Sequence, residues 1–351
     1  MQEIAPPGPT SEGLPPTVRV KSQAEFSRLA EPHRRELITH CYRITGSLLD
    51  AEDLVQETFL RAWRRLETYE GRAPFRAWLY KIATHACLDA LKRQPGRSLP
   101  PTRSTPLGPG QPMQPPVDEP VWLEPFPDEL LAPAESSPEA RFEARESISL
   151  AFLTALQLLP PRQRAVLILR DVLGWQASEA AGLLEASVPA VTSLLHRART
   201  TLASHYSSRG QPAAPEAQAD PQTRRLLERY VQAWEEADVD GLVSLLREDA
   251  TFPMPPSPSW YQGRPAIRAF IAATILDGQA RGRWHLLQAL ANAQPAYAWY
   301  RRDESGGYQA FAIQVLTLDG ELLSDVTTFA NRALFPYFNL PMSLEERGYK
   351  K

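Results

Sequence analysis

The fold of this chain is decided by the stretch LPPRQRAVLILRDVLGWQASEAAGLLEASVPAVTSLLHRARTTL, residues 159–202. The prolines at 160–161 suit the first turn of a helix, where the amide N–H groups have no partner inside the helix. Gly174 ends that first apolar pattern, and a second pattern with small inward-facing residues follows it. Ser187 is placed to cap a further helix, and Pro189 lies in its first turn. The stretch therefore predicts three short helices joined by tight turns.

The last of these helices has an apolar side and a polar, basic side. The residues expected to face inward are Val188, Val191, Leu195 and Leu202. The residues expected on the outer side are Thr192, Ser193, His196, Arg197 and Arg199. A helix, a short turn and a capped helix ending in basic residues form a helix–turn–helix layout, whose second helix can enter the major groove of DNA. A plain three-helix bundle with solvated arginines fits the same pattern, so both interpretations stay open on this stretch alone.

The composition is that of a soluble globular protein with several domains. The chain has 351 residues and a net charge of −3, so no global basic field indicates nucleic acid, and any DNA site must come from local clustering. No apolar run is long enough to span a bilayer and the N-terminus lacks a signal pattern, so we expect a cytoplasmic protein. Cys41 and Cys87 are expected to be buried thiols, and we expect no metal and no cofactor.

A second helical block covers residues 23–93. Its middle part, AEDLVQETFLRAWRRLETY (51–69), has an apolar face and a polar face at helical spacing. Its last part, FRAWLYKIATHACLDALKR (75–93), interleaves aromatic and basic residues, which suits single-stranded nucleic acid because bases stack and phosphates pair. The alternative is that Trp78 belongs to the core and that the cations form a solvated face.

The two helical blocks resemble one family of bacterial proteins. DAEDLVQETFLRAW (50–63), the basic–aromatic helix and the closing LLHRART (194–200) are similar in order and spacing to sigma-70 factors of the extracytoplasmic-function (ECF) group. The resemblance implies that residues 23–97 form sigma domain 2 and that residues 139–206 form sigma domain 4, both all-α.

The resemblance also implies roles for individual residues. In this family the DLVQETF helix docks on the clamp helices of core RNA polymerase, which implies a polymerase-binding face of Asp53, Gln56 and Glu57. The next helix melts and reads the −10 promoter element, which implies DNA contacts by Trp78, Lys81, Thr84, His85, Lys92 and Arg93. The helix–turn–helix reads the −35 element, which implies DNA contacts by Ser187, Thr192, Ser193, His196, Arg197 and Arg199. His85 stands where the family usually has Asn, and Leu194 where an Arg is common, so the promoter preference is not implied.

Proline-rich stretches separate these blocks. We expect a disordered tail over 1–22, a semi-rigid extended linker over 98–138 and a second linker over 207–220. The first linker also contains an apolar cluster among acidic residues: Trp122, Leu123, Phe126, Leu130 and Leu131. A pure spacer does not need tryptophan. We expect this cluster to dock either on polymerase or on the C-terminal domain, or to cap a neighbouring domain.

Residues 221–351 follow a different pattern. Amphipathic helical segments come first, and four strand-like runs then follow, WHLLQALANAQ, AYAWYRR, YQAFAIQVLTL and ELLSDVTTFA. Turn signals lie at 304–307 and at Asp319-Gly320, and the second is a strong hairpin signal. Helices followed by a curled antiparallel sheet favour a small α+β cone-shaped domain.

This last block resembles the SnoaL-like fold, on the strings WYQG (260–263) and FPYFNLP (335–341). SnoaL-like relatives include cyclases and hydrolases, so the candidate acid–base groups are Asp249, His285 and Asp325. Fold analogy does not establish activity, and we expect no enzyme but a built-in regulator of the sigma domains. A pocket expected to be lined by Trp260, Tyr297, Trp299 and Phe311 is a candidate site for a small apolar ligand.

Together these expectations describe an RNA polymerase sigma factor that directs promoter recognition and transcription initiation. Its expected partners are core RNA polymerase and promoter DNA, with no membrane. The alternative is a small-molecule sensor or a SnoaL-like enzyme fused to a DNA-binding module. A simple repressor that acts without polymerase is a third interpretation, but a repressor has no use for a clamp-docking face.

Overall fold

A computed structural model describes residues 22–69, 71, 73–93, 96–117, 122–131, 143–206, 220–278 and 280–345. The expected N-terminal tail and nearly all of the second linker lie outside these ranges. The chain divides into two compact units, and each is described by itself. The first contains residues 1–97, 130–147 and 152–210, and the second contains residues 98–129, 148–151 and 211–351. No helix among the described residues is long and apolar enough to cross a membrane.

The described part of the first unit is helical. Its helices are α1 (Gln23–Ala30), α2 (Arg34–Thr45), α3 (Leu48–Arg64), α4 (Phe75–Leu91), α5 (Leu150–Gln157), α6 (Pro161–Leu167), α7 (Ala177–Leu184) and α8 (Val188–Tyr206). The first two residues of α5 fall in the second unit. Helices α2, α3 and α4 pack on one another around buried apolar residues such as Leu37, Val55 and Leu79. Cys41 and Cys87 are both buried free thiols, as predicted.

Helices α6, α7 and α8 form the predicted set of three helices joined by tight turns. The backbone at Gly174 has φ +67°, a left-handed conformation that favours glycine and ends the helical segment that follows α6. Helix α7 begins with a capping box between Gln176 and Glu179 and ends at Glu185, whose φ of 52° is also left-handed. Val191 and Leu195 are buried as predicted, but Val188 is 43% exposed because it lies at the first turn of α8, beyond the packed part of the helix.

Arg164 of α6 is buried and satisfies carbonyl groups on two segments. Its guanidinium donates to the main-chain oxygen of Ile44, at the C-terminal end of α2, and to Gln157 Oε1 at 2.6 Å. Burial lowers the pKa of Arg164 to about 10, so the side chain keeps its charge at neutral pH. A cation at the end of a helix is favourable because the last carbonyl groups have no partner inside the helix.

The second unit contains three helices and a mixed sheet among its described residues. The helices are α9 (Pro221–Glu235), α10 (Val239–Ser244) and α11 (Arg264–Thr274). The strands are β1 (Leu246–Pro253), β2 (Trp260–Gln262), β3 (Trp284–Ala291), β4 (Gln294–Arg302), β5 (Tyr308–Asp319), β6 (Leu322–Phe329) and β7 (Ser343–Leu344). The strand order is β2-β1-β6-β5-β4-β3, and β7 pairs with β5.

Two features of this sheet differ from the predicted antiparallel arrangement. Strands β1 and β6 pair in parallel, since the long connection between them allows β6 to return in the same direction. The run WHLLQALANAQ is not one strand, because Asn292 and Ala293 have φ of 56° and 61° and form the tight turn between β3 and β4. The predicted hairpin at Asp319-Gly320 is confirmed between β5 and β6.

Candidate functional site

The polar face of α3 is open to solvent. Asp53 and Gln56 are exposed, and Glu57 is half-buried and accepts a hydrogen bond from Arg61 Nε at 2.7 Å. The helix is capped by Ser47, whose hydroxyl accepts from the main-chain N–H of Asp50 at 3.0 Å, and its buried residues Ala51, Val55 and Ala62 lie on the opposite side. The three residues expected to bind polymerase therefore share one accessible helix face.

Sequence reasoning missed Leu60 on this same face. Leu60 is 48% exposed, and it lies four residues after Gln56 and seven after Asp53, which places the three on one side of the helix. Leu60 thus adds an exposed apolar side chain to the polar face formed by Asp53 and Gln56. The signal was present in the heptad spacing of the motif.

Helix α4 has a solvent-facing end with aromatic and basic residues. Trp78 is half-buried, and its ring lies 5.1 Å from the ring of Tyr69 and 5.7 Å from that of Phe75. Lys92 and Arg93 are exposed at the other end of the helix, and Lys92 Nζ lies 2.8 Å from Asp89 Oδ1. Trp78 therefore belongs to an aromatic cluster with Tyr69 and Phe75, and its side chain is partly open to solvent.

Thr84 is not available to DNA in this structure, so the expectation of a contact from this residue is wrong here. Its side chain is 0% exposed, and its hydroxyl donates to the main-chain oxygen of Tyr80 at 2.7 Å. Because that proton is committed, the 2.8 Å contact with His40 Nε2 is a hydrogen bond donated by the imidazole to Thr84 Oγ1. The helical periodicity of α4 places this position against α2.

Beside this pair, α2 and α4 are joined by buried and half-buried polar groups. Arg76 Nε and Tyr80 Oη both donate to Glu36 Oε2, at 2.7 and 3.2 Å. Burial raises the pKa of Glu36, but hydrogen bonds from His33 and Arg76 outweigh it and hold the pKa below its ordinary value. Burial raises the pKa of Tyr80 well above its ordinary value. The glutamate is therefore ionised and the tyrosine neutral, which suits a structural network.

Lys81 and His85 lie at the face of α4 that meets α7. Lys81 Nζ forms an ion pair with Glu185 Oε1 at 3.0 Å, and the ring of Tyr80 lies 5.4 Å from that of Trp175. The lysine lowers the pKa of the exposed Glu185 by a hydrogen bond. His85 Nδ1 lies 2.8 Å from the main-chain oxygen of Lys81. Lys81 therefore has to leave Glu185 before its charge can meet a phosphate.

The expected recognition face of α8 is exposed as a whole. All six residues expected to contact DNA have exposed side chains: Ser187, Thr192, Ser193, His196, Arg197 and Arg199. Ser187 Oγ accepts from the main-chain N–H of Ala190 at 3.3 Å, which is the predicted helix cap. Arg199 makes two hydrogen bonds to Asp171, from Nε at 2.8 Å and from Nη2 at 2.7 Å. The cationic charge of Arg199 is thus partly neutralised within the protein.

The candidate acid–base groups of the second unit are not brought together. Asp249 lies on β1 and pairs with Arg247 at 2.9 Å, while Asp325 on β6 accepts hydrogen bonds from the hydroxyls of Thr251 and Thr327. His285 lies on β3 at the far end of the strand order, where its Nδ1 is 3.0 Å from Glu235 Oε1. Among the described residues no cluster of three or more His, Cys, Asp or Glu is suited to a metal ion.

A cavity of about 480 Å³ lies inside the second unit. Trp299 and Phe311 line it as predicted, but Trp260 and Tyr297 do not. The indole N–H of Trp260 is instead bonded to the main-chain oxygen of Ser104 at 2.9 Å, and the ring of Tyr297 packs against Tyr230, with centroids 5.8 Å apart. The cavity is therefore bounded by a different part of the sheet than the sequence indicated.

The linker segment 98–129 belongs to this second unit. Trp122, Leu123 and Phe126 are buried, with 7%, 1% and 0% of their surfaces exposed. Asn292, at the turn between β3 and β4, exchanges two hydrogen bonds with Phe126: its main-chain N–H donates to Phe126 O, and its Oδ1 accepts from Phe126 N, both at 2.9 Å. Of the two expected docking partners of this cluster, the C-terminal domain is the one that it contacts in the structure.

Asn292 also anchors the segment at 148–151. Its Nδ2 donates to the main-chain oxygen of Ile148 at 2.6 Å, so one buried amide side chain uses both ends. Sequence reasoning missed this residue. The only available signal was an asparagine inside a strand-like run, which is typical of a tight turn but gives no information on a distant partner.

Comparison with known proteins gives three family matches along the chain. Residues 29–96 match the sigma-70 region 2 model, residues 149–202 match sigma-70 region 4, and residues 227–326 match a SnoaL-like domain. The ECF RNA polymerase sigma factor SigG of Mycobacterium tuberculosis strain H37Rv is 44% identical over 329 residues, 92% of this chain and 85% of that protein. SigJ of the same organism is 33% identical over 230 residues, 65% of this chain and 63% of that protein.

The crystal structure of M. tuberculosis SigJ shares the fold. It superposes with a TM-score of 0.54 at 24% identity and covers 90% of this chain and 99% of that chain. The match spans both the helical part and the sheet-containing part of the molecule.

These matches define the class of protein as a promoter-recognition factor of bacterial RNA polymerase. The chain belongs to the ECF family of RNA polymerase sigma factors and carries a SnoaL-like C-terminal domain. It binds core RNA polymerase and promoter DNA and directs transcription initiation. Sigma factors are not enzymes, so the interpretation as a SnoaL-like enzyme with a DNA-binding tether is set aside.

Proposed function

We propose that the exposed face of α3, with Asp53, Gln56, Glu57 and Leu60, is the polymerase-binding surface of this sigma factor. Three polar side chains around an exposed leucine combine an apolar anchor with a polar rim, which is the usual anatomy of a protein interface. The factor would work in the cytoplasm, where its polymerase and its promoters are.

We further propose that α4 and α8 make the promoter contacts. Trp78, Lys81 and His85 of α4, with Lys92 and Arg93 just after it, are accessible and would meet the opened −10 strand, where aromatic and cationic side chains suit unpaired bases and phosphates. The exposed residues Ser187, Thr192, Ser193, His196, Arg197 and Arg199 of α8 would enter the major groove at the −35 element. Thr84 is left out because its side chain is buried.

We propose that the C-terminal domain regulates the factor by holding the linker between sigma domains 2 and 4. The observation that carries this proposal is the pair of hydrogen bonds between Asn292 and Phe126, with the side chain of Phe126 fully buried. Burying a large apolar side chain contributes about 1.5–3 kcal/mol, and Trp122, Leu123 and Phe126 are all buried. A linker bound in this way is not free to follow a path through polymerase.

The linker is also held along its proline-rich part. Tyr261 Oη donates to the main-chain oxygen of Gln111 at 2.9 Å, and the indole of Trp260 donates to that of Ser104 at 2.9 Å. Gln114 is bonded through both main-chain groups, with its N–H donating to Ser259 Oγ at 2.8 Å and its oxygen accepting from Ser257 Oγ at 2.9 Å. These contacts support a specific binding site for linker residues 104–114 on the C-terminal domain.

Two acidic residues of the linker also bind the C-terminal domain. Asp128 Oδ1 accepts from the main-chain N–H of Ala293 at 2.8 Å, and Glu129 Oε2 accepts from Asn339 Nδ2 at 2.7 Å. These carboxylates would be released together with the linker. They would then be available to mimic the charge of nucleic acid inside polymerase.

Promoter-dependent run-off transcription with core RNA polymerase tests this proposal. The proteins compared are the full chain, a truncation that ends at Tyr206, and Asn292→Ala. The matched control is Gln288→Ala, which removes an exposed amide from β3, the strand that leads into the turn with Asn292. We expect the truncation and Asn292→Ala to give several-fold more transcript than the full chain and than Gln288→Ala. Equal transcript from Asn292→Ala and Gln288→Ala would contradict regulation through the linker.

A further inference from the structure

We propose that the cavity of the C-terminal domain binds an amphipathic organic anion, with a flat apolar body and one carboxylate or sulfonate group. The inference deepens the proposed regulation through the linker and rests on it for its consequence, whereas binding itself is measured separately. The cavity volume of about 480 Å³ lies within the range of small-molecule sites.

The body of the ligand is defined by aromatic walls. The ring of Trp284 lies 5.2 Å from that of Trp299 and 5.1 Å from that of Phe311, so the three rings form one continuous surface. Phe252, Phe270 and other apolar side chains complete the lining. Planar rings at these spacings favour a flat aromatic or polycyclic ligand by offset stacking and by burial of apolar surface.

Three arginines, Arg283, Arg301 and Arg302, also line the cavity, and Arg301 defines where the head of the ligand binds. The described lining residues include no aspartate or glutamate. Arg283 is paired with Asp277 at 2.7 Å, and the guanidinium of Arg301 lies 5.8 Å from the ring centroid of Phe311. The lining therefore places the guanidinium of Arg301 beside an apolar surface, and a guanidinium is suited to a carboxylate or sulfonate by its two parallel N–H groups.

The carboxylate nearest to these arginines in sequence, that of Asp303, is hydrogen-bonded within its own loop. Asp303 follows Arg302 directly, but its carboxylate accepts hydrogen bonds from Ser305, Gly307 and Gln309 of the adjoining turn and strand. It is thus committed to the loop between β4 and β5. Arg301, whose guanidinium lies over the ring of Phe311, is the lining cation that would meet the anion of a ligand.

The polar groups at the other end of the lining are satisfied. Gln314 is fully buried, its Oε1 accepts from Tyr230 Oη, and its Nε2 donates to Thr328 Oγ1 at 2.7 Å. An ionised group placed beside this neutral network would lose water without gaining a countercharge. The anion therefore lies at the arginine end, and the apolar body points toward the interior.

The linker forms part of the same cavity wall. Met113 and Pro116 line the cavity, and they flank Gln114, which is bonded to Ser257 and Ser259. A ligand in the cavity thus contacts both the domain and the linker. Because a ligand shifts an equilibrium by its different affinity for the two states, a ligand that contacts Met113 and Pro116 stabilises the docked linker.

The test uses a matched pair of probes, 1-naphthaleneacetate and its neutral amide, titrated into the full chain by calorimetry. We expect the acid to bind at least about tenfold more tightly than the amide at low salt, as a charge-assisted pair requires. Raising the salt concentration should weaken binding of the acid and leave binding of the amide unchanged. Arg301→Gln should remove the preference for the acid. The matched control Arg268→Gln, an exposed arginine paired with Asp240 on the helical side, should keep it.

Several results would overturn the proposal. Equal affinity for acid and amide, binding of the acid that is independent of salt, or no binding of either probe would each contradict an anion site. The salt series needs no variant, so it decides the matter even where Arg301→Gln does not fold.

The regulatory consequence is read separately, by run-off transcription with and without the acid. Reduced transcript from the full chain, with no effect of the acid on Arg301→Gln, would support ligand control of the linker. Binding of the acid without a change in transcript would retain the site and contradict its link to the linker. Failure of the acid to bind, with Asn292→Ala still raising transcript, would retain the proposed regulation and remove this inference.

Discussion

His40 lies at the centre of the first unit, fully buried between α2 and α4. Its Nε2 donates to Thr84, while its Nδ1 has no hydrogen-bond partner among the described residues. Burial and the nearby charge of Arg43 lower the pKa of His40 from 6.5 to about 3. A proton added at Nδ1 would create an unpaired charge in the core, so this histidine stays neutral in the folded protein.

This burial predicts a pH dependence of stability. Because the folded pKa is depressed, the unfolded chain binds the proton first, and the free energy of unfolding falls as the pH drops below 6.5. Between pH 7.5 and 5.5 the loss from this group is about 1.4 kcal/mol, from a proton linkage of about 1.4 kcal/mol per pH unit. Native-state hydrogen exchange of amides in α2 and α4, corrected for intrinsic rates, measures it in the full chain.

The comparison that isolates His40 is between two histidine variants. His40→Gln should show a flatter pH profile than the wild type over this range, whatever its absolute stability. His85→Gln, which changes a half-buried histidine on the same helical layer, should retain the wild-type slope. A slope that survives in His40→Gln would assign the effect to other groups.

At the residue scale, the site was only partly readable from the sequence. The exposed polar residues of α3 and α8 followed from helical periodicity, because a helix face is a local property of the chain. Thr84 was misplaced and Asn292 was missed, because both are fixed by partners distant in sequence, His40 and Phe126. The local sequence pattern does not predict the hydrogen-bond partner of a polar group when that partner lies on another element.

At the element scale, α8 presents two arginines in different states. Arg199 is held by Asp171 in two hydrogen bonds, whereas Arg197 is exposed further round the helix. A phosphate can take Arg199 only by displacing Asp171, so its net gain on binding DNA is reduced. The two residues are therefore expected to contribute unequally to DNA binding, although both carry the same charge.

Salt titration of DNA binding separates these contributions. Arg197→Gln should weaken binding of the full chain to a duplex selected from a random library, and should reduce the slope of log K against log salt by about 1. Asp171→Asn should strengthen binding, because it frees Arg199. Arg224→Gln, an equal loss of charge on an exposed position of α9, should change neither quantity. An unchanged slope in Arg197→Gln would remove this residue from the phosphate contacts.

Helix α3 carries the matching prediction for polymerase. Leu60→Ala should weaken binding of the full chain to core RNA polymerase by about tenfold, since truncating an anchor residue costs more than 1 kcal/mol. Leu158→Ala is the control, because Leu158 is 46% exposed and lies elsewhere in the first unit, against 48% for Leu60. Equal affinity of the two variants, measured by biolayer interferometry, would show that exposure alone did not identify an interface.

The elements themselves were predictable to different extents. Helices α7 and α8 and the hairpin at Asp319 were indicated by caps, glycine and apolar periodicity, all of which act within a few residues. The parallel pairing of β1 with β6 was not, because strand direction is set by the packing of α11 and the sheet rather than by the sequence of either strand. Signals that act within a few residues therefore predicted both helices and the hairpin, whereas the direction of strand pairing was not predicted.

At the scale of the whole molecule, chain order and compact units do not coincide. The linker segment 98–129 precedes sigma domain 4 in sequence but packs with the C-terminal domain. Its cluster of Trp122, Leu123 and Phe126 contributes to the burial of that unit. Composition correctly indicated that these residues need a partner, but proline content suggested a spacer, because extended backbone is common to spacers and to docked segments.

This organisation predicts how the linker responds when the C-terminal domain is removed. In a truncation that ends at Tyr206, the partner surface that includes Asn292 is absent, so Trp122, Leu123 and Phe126 become accessible to chymotrypsin. We expect cleavage within 122–126 to be at least about tenfold faster than in the full chain, with Asn292→Ala intermediate, because cleavage follows the population of the undocked segment. Mass spectrometry of the fragments locates the cut. Equal rates in the truncation and in the full chain would mean that the linker is undocked in both, which would remove the basis for control by the C-terminal domain.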